Sequence, residues 1–140
     1  MVDYKEIASY IIILAIVLIV AQHLNVVVSG SMEPVFYRGD IVVVEKSDLL
    51  GLQEFNPKDV KVGDIVVYNA AWFNQPVIHR VINIVEINGT TMYEIKGDHN
   101  NRSDPYYVKT EQIKDRVVTW GDNPIKIPYI GNLSLWLRGL

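Results

Sequence analysis

A short polar segment between two apolar stretches holds a serine suited to nucleophilic chemistry. In VVVSGSMEPVFYRGD, residues 26–40, Ser31 follows Gly30, which allows a tight turn, and precedes Pro34, which fixes the exit of the chain. This arrangement presents a hydroxyl beside its own backbone N–H, and Ser29 offers a second donor. Acyl transfer needs both features, because two donors must meet the developing oxyanion. The same pattern also suits an ordinary Ser-Gly-Ser turn.

A serine hydroxyl reacts well only when a base takes its proton, and the chain has three histidines. In PVIHRVIN, period-two alternation puts His79 on one face with Val77 and Val81, while Arg80 points the other way. A lone histidine on an apolar face is also a common core residue. Paired with Ser31, however, His79 becomes the candidate general base.

A neutral imidazole base also needs an acceptor for its second ring N–H, which a carboxylate supplies. Asp98 and Asp104, both in KGDHNNRSD, are the candidates. A calcium loop starting at Asp98 is excluded, because its fifth position would be the cation Arg102 and its sixth Ser103 instead of glycine. The segment also suits a plain polar loop that closes a hairpin.

These motifs together carry a family resemblance. SGSMEP around Ser31, VIHRV around His79 and KGDHNNRSD resemble, in the same order, the motifs of the type I signal peptidases. The resemblance is closest to the archaeal and endoplasmic-reticulum branch, in which a histidine stands where the bacterial enzymes have the catalytic lysine. It covers most of the chain, from Ile7 to Gly131, and His99, where the family often has asparagine, is one departure.

The resemblance implies a membrane-bound serine endopeptidase that removes N-terminal signal peptides from secreted and membrane preproteins, cutting after small residues. Ser31 is then the nucleophile, His79 the general base and Asp104 the orienting carboxylate. Asp98 is implied as a supporting carboxylate, and Ser29 with the Ser31 N–H as the oxyanion hole. Three residues are implied as walls of shallow pockets for small side chains: Val27, Met32 and Ile78.

The implied partners are preprotein signal peptides and the lipid bilayer, and the need for further signal peptidase subunits stays open. We expect an extended peptide to pair with sheet edges near residues 26–29 and 76–78. No metal and no organic cofactor is implied. The catalytic domain is expected on the extracytoplasmic or lumenal face of the cell membrane or the endoplasmic-reticulum membrane.

The elements that must position these residues begin with an apolar segment. Residues 7–21, IASYIIILAIVLIVA, carry no charge, glycine or proline, and with the residues that follow they approach the roughly 20 that span hydrocarbon. The segment predicts a transmembrane helix, with residues 1–25 as an N-terminal anchor. A cleaved signal peptide is the alternative, although no clear A-x-A cleavage site is present. Charge does not settle the orientation, because the positive-inside bias counts Lys and Arg and the N-terminal flank offers only Lys5, beside Asp3 and Glu6.

Residues 26–140 predict one β-domain, because short β-branched segments are broken by Gly, Asp, Asn and Pro. The expected fold is therefore mainly β, with the N-terminal helix followed by a compact domain that has few short helices, and the resemblance implies that this is the catalytic, signal-peptidase-like domain. Asn88-Gly89 suits the type I′ turn of a hairpin. The expected elements are strands at 40–45, 64–68, 81–87, 90–95 and 116–120, and a short helix near 109–113.

Length and composition exclude several classes of protein. A chain of 140 residues leaves room for one domain and excludes a two-domain cofactor enzyme. The 13 Lys and Arg against 16 Asp and Glu give a net charge of -3, which argues against nucleic acid as a partner. The absence of cysteine excludes disulfides, a thiolate nucleophile and Cys-ligated zinc.

The tail at residues 128–140 is apolar but too short to span a bilayer. It suits three interpretations equally: a segment in the membrane interface, a final strand, or the beginning of a longer element.

Two other functions also fit the sequence. A non-catalytic, membrane-tethered β-domain would bind a partner protein through exposed edges, with Trp72, Phe73 and Trp136 touching lipid. A self-processing serine peptidase of the repressor-cleaving type shares the related core, but the anchor argues against it. Geometry separates the first alternative from the peptidase, since Ser31 and His79 on opposite faces would favour a binding module.

Overall fold

A large antiparallel sheet dominates the computed structural model, which describes residues 1 and 3–140. The strands are β1 (Leu24–Val26), β2 (Ile41–Lys46), β3 (Ile65–Asn69), β4 (Pro76–Ile87), β5 (Thr90–Lys96), β6 (Val108–Lys109), β7 (Ile113–Val117), β8 (Thr119–Trp120), β9 (Asn123–Pro124) and β10 (Lys126–Ile127). Their order in the sheet is β1-β2-β7-β3-β4-β5-β6, with β10 also on β2, while β8 pairs with β9. The predicted mainly β fold is confirmed.

Helix α1 (Tyr4–Gln22) begins at Asp3, whose side chain accepts from the N–H of Lys5. The helix is long and apolar enough to cross a membrane, and its most apolar stretch has a mean hydropathy of 2.1. None of its described side chains is buried, so it is not a core helix of the domain. Length and composition suit a membrane span and a signal sequence alike.

One residue, His23, separates α1 from β1 and ties the helix to the sheet. Its ring Nδ1 lies 2.7 Å from the carbonyl oxygen of Ile19, and its Nε2 lies 2.6 Å from a carboxylate oxygen of Glu54. The other Glu54 oxygen accepts from the N–H of Lys46 at 2.7 Å. The hydrogen bond to Glu54, followed by the one to Ile19, raises the pKa of His23.

Strand β3 lies at the centre of the core and is buried on both faces. Ile65 and Val67 pack into one apolar cluster, which also holds Met32 of the turn after β1. Val66 and Tyr68 alternate to the other side and pack into a second cluster. A strand covered on both faces reads as a continuous β-branched run, and this is why GDIVVY predicts it well.

The predicted hairpin is confirmed, with β4 and β5 joined by Asn88 and Gly89 at φ 51° and 75°. Both values are positive, as a type I′ turn requires. Strand β4 is longer than predicted and begins at Pro76. Its first residues, 76–80, pair with β3, and β5 pairs with β4 only from Arg80 onward.

Three expectations for the second half of the chain need correction. The predicted short helix is a single 3₁₀ turn, Thr110–Gln112, between β6 and β7. The predicted last strand is divided between β7 and β8, because β8 leaves the sheet to pair with β9. The tail is not a final strand: Gly131–Leu137 forms a short helix, α2, with Leu135 buried.

Candidate active site

A compact turn after β1 presents Ser31. The turn is held from beneath by the fully buried side chains of Met32 and Phe36. The Ser31 carbonyl accepts the N–H of His99 at 2.9 Å, which fixes the turn against the loop after β5. The serine hydroxyl is left on the partly exposed side of the turn.

Ser31, His79 and Asp104 form a line of hydrogen bonds. The Ser31 Oγ lies 3.0 Å from His79 Nε2, and His79 Nδ1 lies 2.7 and 2.9 Å from the two carboxylate oxygens of Asp104. The side chains of His79 and Asp104 are 6% and 4% exposed. A carboxylate only accepts, so Nδ1 carries the hydrogen and Nε2 keeps a free lone pair towards the hydroxyl. This arrangement can take a proton from Ser31.

The alternation of β4 positions His79. Val77 and Val81 are buried on the same face, as the sequence predicts, and Val66 of β3 lies directly opposite His79. Ser31 and His79 meet on one side of the sheet. They do not lie on opposite faces, the arrangement that would favour a binding module.

Asp98 lies apart from the imidazole. Its carboxylate accepts from Arg80 Nε at 2.8 Å and from a terminal nitrogen at 2.7 Å, and this bidentate pair raises the pKa of Arg80. Arg80 points to the opposite face of β4 from His79, and Asp98 is bonded to Arg80 on that face. The expected supporting role of Asp98 stays a prediction. Among residues 1 and 3–140, no three His, Asp or Glu side chains are grouped to hold a metal ion.

Ser29 lies beside the candidate nucleophile. Its Oγ is 3.1 Å from the Ser31 Oγ, and either hydroxyl can be the donor in this contact. The Ser29 hydroxyl can rotate its hydrogen, so it is a hydrogen-bond donor available next to Ser31.

A groove of about 670 Å³ runs past Ser31 and His79. Ile78 lines it, as expected, and so do Val26 and Val28. The other two expected pocket residues, Val27 and Met32, are buried in the core instead. Side chains alternate along an extended segment, so a core position for Val27 turns its two neighbours towards the groove. Trp72 and Phe73 line the groove side by side, with ring centroids 5.7 Å apart.

Comparison with known protein families identifies the family of this chain. A family model described as "Signal peptidase, peptidase S26" matches residues 3–116. The chain belongs to this signal peptidase family. The match contains the turn of Ser31, strand β4 with His79 and the loop with Asp104, so every member of the hydrogen-bonded line lies inside the family region.

Relatives of two kinds support the membership. An uncharacterized protein of Methanocaldococcus jannaschii is 35% identical over 89% of this chain and 88% of its own length. The signal peptidase complex catalytic subunit SEC11 of Colletotrichum graminicola is 33% identical over 80% of this chain, and that of Lachancea thermotolerans is 38% identical over 80%. The chain covers 62% and 64% of these two SEC11 proteins, less than two thirds of their length.

Sequence reasoning missed two residues that touch the candidate active site. Tyr68 donates its hydroxyl to Asp104 at 2.6 Å, and Gly97 packs against Ser31 and His79. Strand pairing brings Tyr68 to the site, and register is not visible in one sequence. Gly97 lies in the quoted motif, but a close approach between backbones becomes apparent only in three dimensions.

We expect Gly97→Ala to disable the site while leaving most of the fold intact. A Cβ at this position would lie 2.7 Å from the Ser31 carbonyl oxygen and 2.9 Å from His79 Nε2, closer than real Cβ atoms approach. The loop must shift, and a misplacement of about 1 Å costs about 10²-fold in rate. Cleavage kinetics and thermal unfolding, measured on the same sample, check this.

Gly30→Ala is the matched control for this variant. Its added Cβ would meet the flexible side chain of Glu33, which can move away, so the expected loss is smaller. Equal activity in the Gly97 variant and the wild type would contradict the tight packing at this point.

Proposed function

We propose that this chain is a membrane-anchored serine endopeptidase that removes signal peptides from preproteins. The observation that carries the proposal is the line of hydrogen bonds from the Ser31 hydroxyl through His79 to Asp104 beside an open groove. Membership of the signal peptidase family supports the class of substrate.

The proposed reaction proceeds through an acyl-enzyme. Ser31 Oγ attacks the scissile carbonyl carbon while His79 Nε2 takes the hydroxyl proton. The imidazolium, held by Asp104, then gives that proton to the departing amine as the peptide bond breaks. A water molecule, deprotonated by the same histidine, hydrolyses the ester and restores the Ser31 hydroxyl.

Two donors are proposed to meet the oxyanion of the tetrahedral intermediate. The first is the N–H of Ser31, which donates to no protein oxygen within the part of the chain that the structure describes. The second is the hydroxyl of Ser29, which lies 3.1 Å from the nucleophile. Both donors lie beside the nucleophile before substrate arrives, and donors placed in advance are an effective form of transition-state stabilisation.

An extended substrate fits between two strand edges. Strand β5 pairs with β4 from Arg80 onward, so residues 76–79 have β3 on one side and the groove on the other. Across the groove lies the segment from Leu24 to Val28. Backbone hydrogen bonds to these edges bind a peptide independently of its side chains, and pockets for alternate side chains select small residues.

The helix α1 is proposed to anchor the domain beside the substrate's own apolar segment. Ser31 follows Leu24 by seven residues, and an extended chain of that length reaches at most about 25 Å. A preprotein held in the same bilayer therefore presents its cleavage site near the groove at a raised effective concentration. The domain is proposed to face the extracytoplasmic or lumenal side.

Cleavage of a model preprotein tests the function. We expect the full-length protein in liposomes to cut after a small residue, identified by sequencing the new N-terminus. A phenylalanine placed just before the cut is expected to lower kcat/KM by at least about 10²-fold, because the groove selects by size.

The same phenylalanine placed several residues after the cut is the matched control and should have little effect. Cleavage of both substrates at the wild-type rate would contradict the pocket assignment. The SEC11 relatives are catalytic subunits of a complex by name, so cleavage by the purified chain alone would show that this chain works without further subunits.

A further inference from the structure

The carboxylate of Asp104 has a second donor besides the imidazole. The hydroxyl of Tyr68 donates to Asp104 Oδ2 at 2.6 Å, and the same oxygen lies 2.7 Å from His79 Nδ1. Tyr68 is 1% exposed, and both of its partners in this network are nearly buried. A buried phenol and a buried carboxylate each need a hydrogen-bond partner, and here they serve one another.

The register of the sheet creates this contact. Tyr68 lies opposite Val77, and His79 lies opposite Val66, so the tyrosine and the histidine extend from the same face of neighbouring strands. Asp104 is brought to them by its own backbone, because its N–H donates to the Ile95 carbonyl at 2.8 Å.

The hydroxyl stays a donor throughout the working range of pH. Burial raises the pKa of Tyr68, and the hydrogen bond to Asp104 with the charge of that carboxylate raises it further. Among the described residues, Asp104 is the charged group that faces the hydroxyl, and His79 is the titratable group beyond it. The phenol therefore remains protonated and keeps donating to Asp104.

We propose that Tyr68 is a positioning residue for the proposed reaction, acting on His79 through Asp104. Its hydroxyl holds one carboxylate oxygen in place, so the carboxylate keeps the orientation that receives Nδ1–H. It also reduces the negative charge on the carboxylate, which weakens the electrostatic stabilisation of the imidazolium by Asp104. The inference rests on the proposed function, since it needs His79 as the general base.

Packing alone does not explain a tyrosine here. A phenylalanine would fill the same volume between the valines of β3 and β4 and would need no partner. The oxygen atom is what differs, and the group to which it donates is Asp104. The substitution Tyr68→Phe therefore removes the positioning contact while keeping the ring in the core.

We expect Tyr68→Phe to lower kcat by about tenfold or more, because a hydrogen bond to a charged group is lost. KM is expected to change little, since Tyr68 lies behind the carboxylate and not in the groove. The acid limb of the pH–rate profile is expected to move to higher pH, because a carboxylate with its full charge favours the protonated imidazole. A purely structural role would not move that limb.

Tyr93→Phe is the matched control. Tyr93 is also 1% exposed and lies in β5, but its hydroxyl donates to the carbonyl of Pro57 at 3.1 Å. This variant loses a buried tyrosine hydroxyl away from Asp104, so its kcat and pH profile should match the wild type. Thermal unfolding of both variants reports any common loss of stability.

The outcomes separate the inference from the function on which it rests. A loss of kcat with a shifted acid limb in Tyr68→Phe alone supports the inference. Wild-type kinetics in Tyr68→Phe, or equal losses of kcat in Tyr68→Phe and Tyr93→Phe, would overturn the inference. Cleavage by the wild-type protein would still support the proposed function. If no preprotein is cleaved, NMR titration of the His79 ring still decides: an unchanged titration in Tyr68→Phe rejects the contact as a positioning device, and a titration moved to higher pH supports it.

Discussion

Ser31→Ala is expected to lower the rate of preprotein cleavage by about 10⁶-fold, the scale of loss when a serine peptidase loses its nucleophile. Alanine keeps the turn and removes the one oxygen that lies 3.0 Å from His79 Nε2. Binding should survive, because the groove edges are unchanged. Single-turnover cleavage in liposomes measures the rate, and crosslinking of a bound signal peptide reports the binding.

Substitutions at two other serines are the comparisons for this result. Ser29→Ala removes only the second oxyanion donor, so a smaller loss of about 10²- to 10³-fold is expected. Ser47, which lies just beyond β2 and outside the groove, is the matched control, and Ser47→Ala should cleave normally. Cleavage at a tenth of the wild-type rate or more in Ser31→Ala would remove this residue from the mechanism.

Asp104→Asn is expected to lower kcat by about 10⁴-fold with little change in fold. The Tyr68 hydroxyl donates to the carboxylate, so it will bind the amide oxygen of asparagine. The amide NH₂ then takes the place of Oδ1, 2.9 Å from His79 Nδ1, where its hydrogens oppose Nδ1–H and favour the tautomer with the hydrogen on Nε2. The amide oxygen in the place of Oδ2 also carries no full negative charge, so the imidazolium that forms when Nε2 takes the Ser31 proton is less stabilised. Measured kcat, with circular dichroism as a check on folding, tests this expectation.

Asp98→Asn provides the comparison for the same chemical change in the same loop. The Asp98 pair with Arg80 is 19–30% exposed and contributes little to stability, so a much smaller loss of rate is expected. Equal losses in both variants would contradict the assignment of Asp104 as the orienting carboxylate, and would place the effect in the loop as a whole.

Local chemistry made parts of the fold predictable. Asn88-Gly89 determined a hairpin because both residues accept positive φ, and the β-branched run after Gly63 determined a central strand. The alternation around His79 also indicated which face is buried. In each case the deciding interaction lies within a few residues of the chain.

The remaining features depend on partners far along the chain. Tyr68 reaches Asp104 across 36 positions, and its role follows from strand register. Two of the three expected pocket residues, Val27 and Met32, lie in the core, because the phase of alternation near Val27 depends on how the turn of Met32 packs. The division between β7 and β8 likewise depends on the partner strand β9, which no local signal identifies.

The joint at His23 leaves no slack between α1 and the sheet. His23 is the one residue between α1 and β1, and its ring contacts Ile19 on the helix and Glu54 on the domain. The connection between helix and sheet is therefore short and held at both ends. If α1 is the membrane anchor proposed above, the depth of α1 in the bilayer sets the height of Ser31 above it. The proposed peptidase would then select its cleavage site by distance from the membrane surface as well as by the sequence of its substrate.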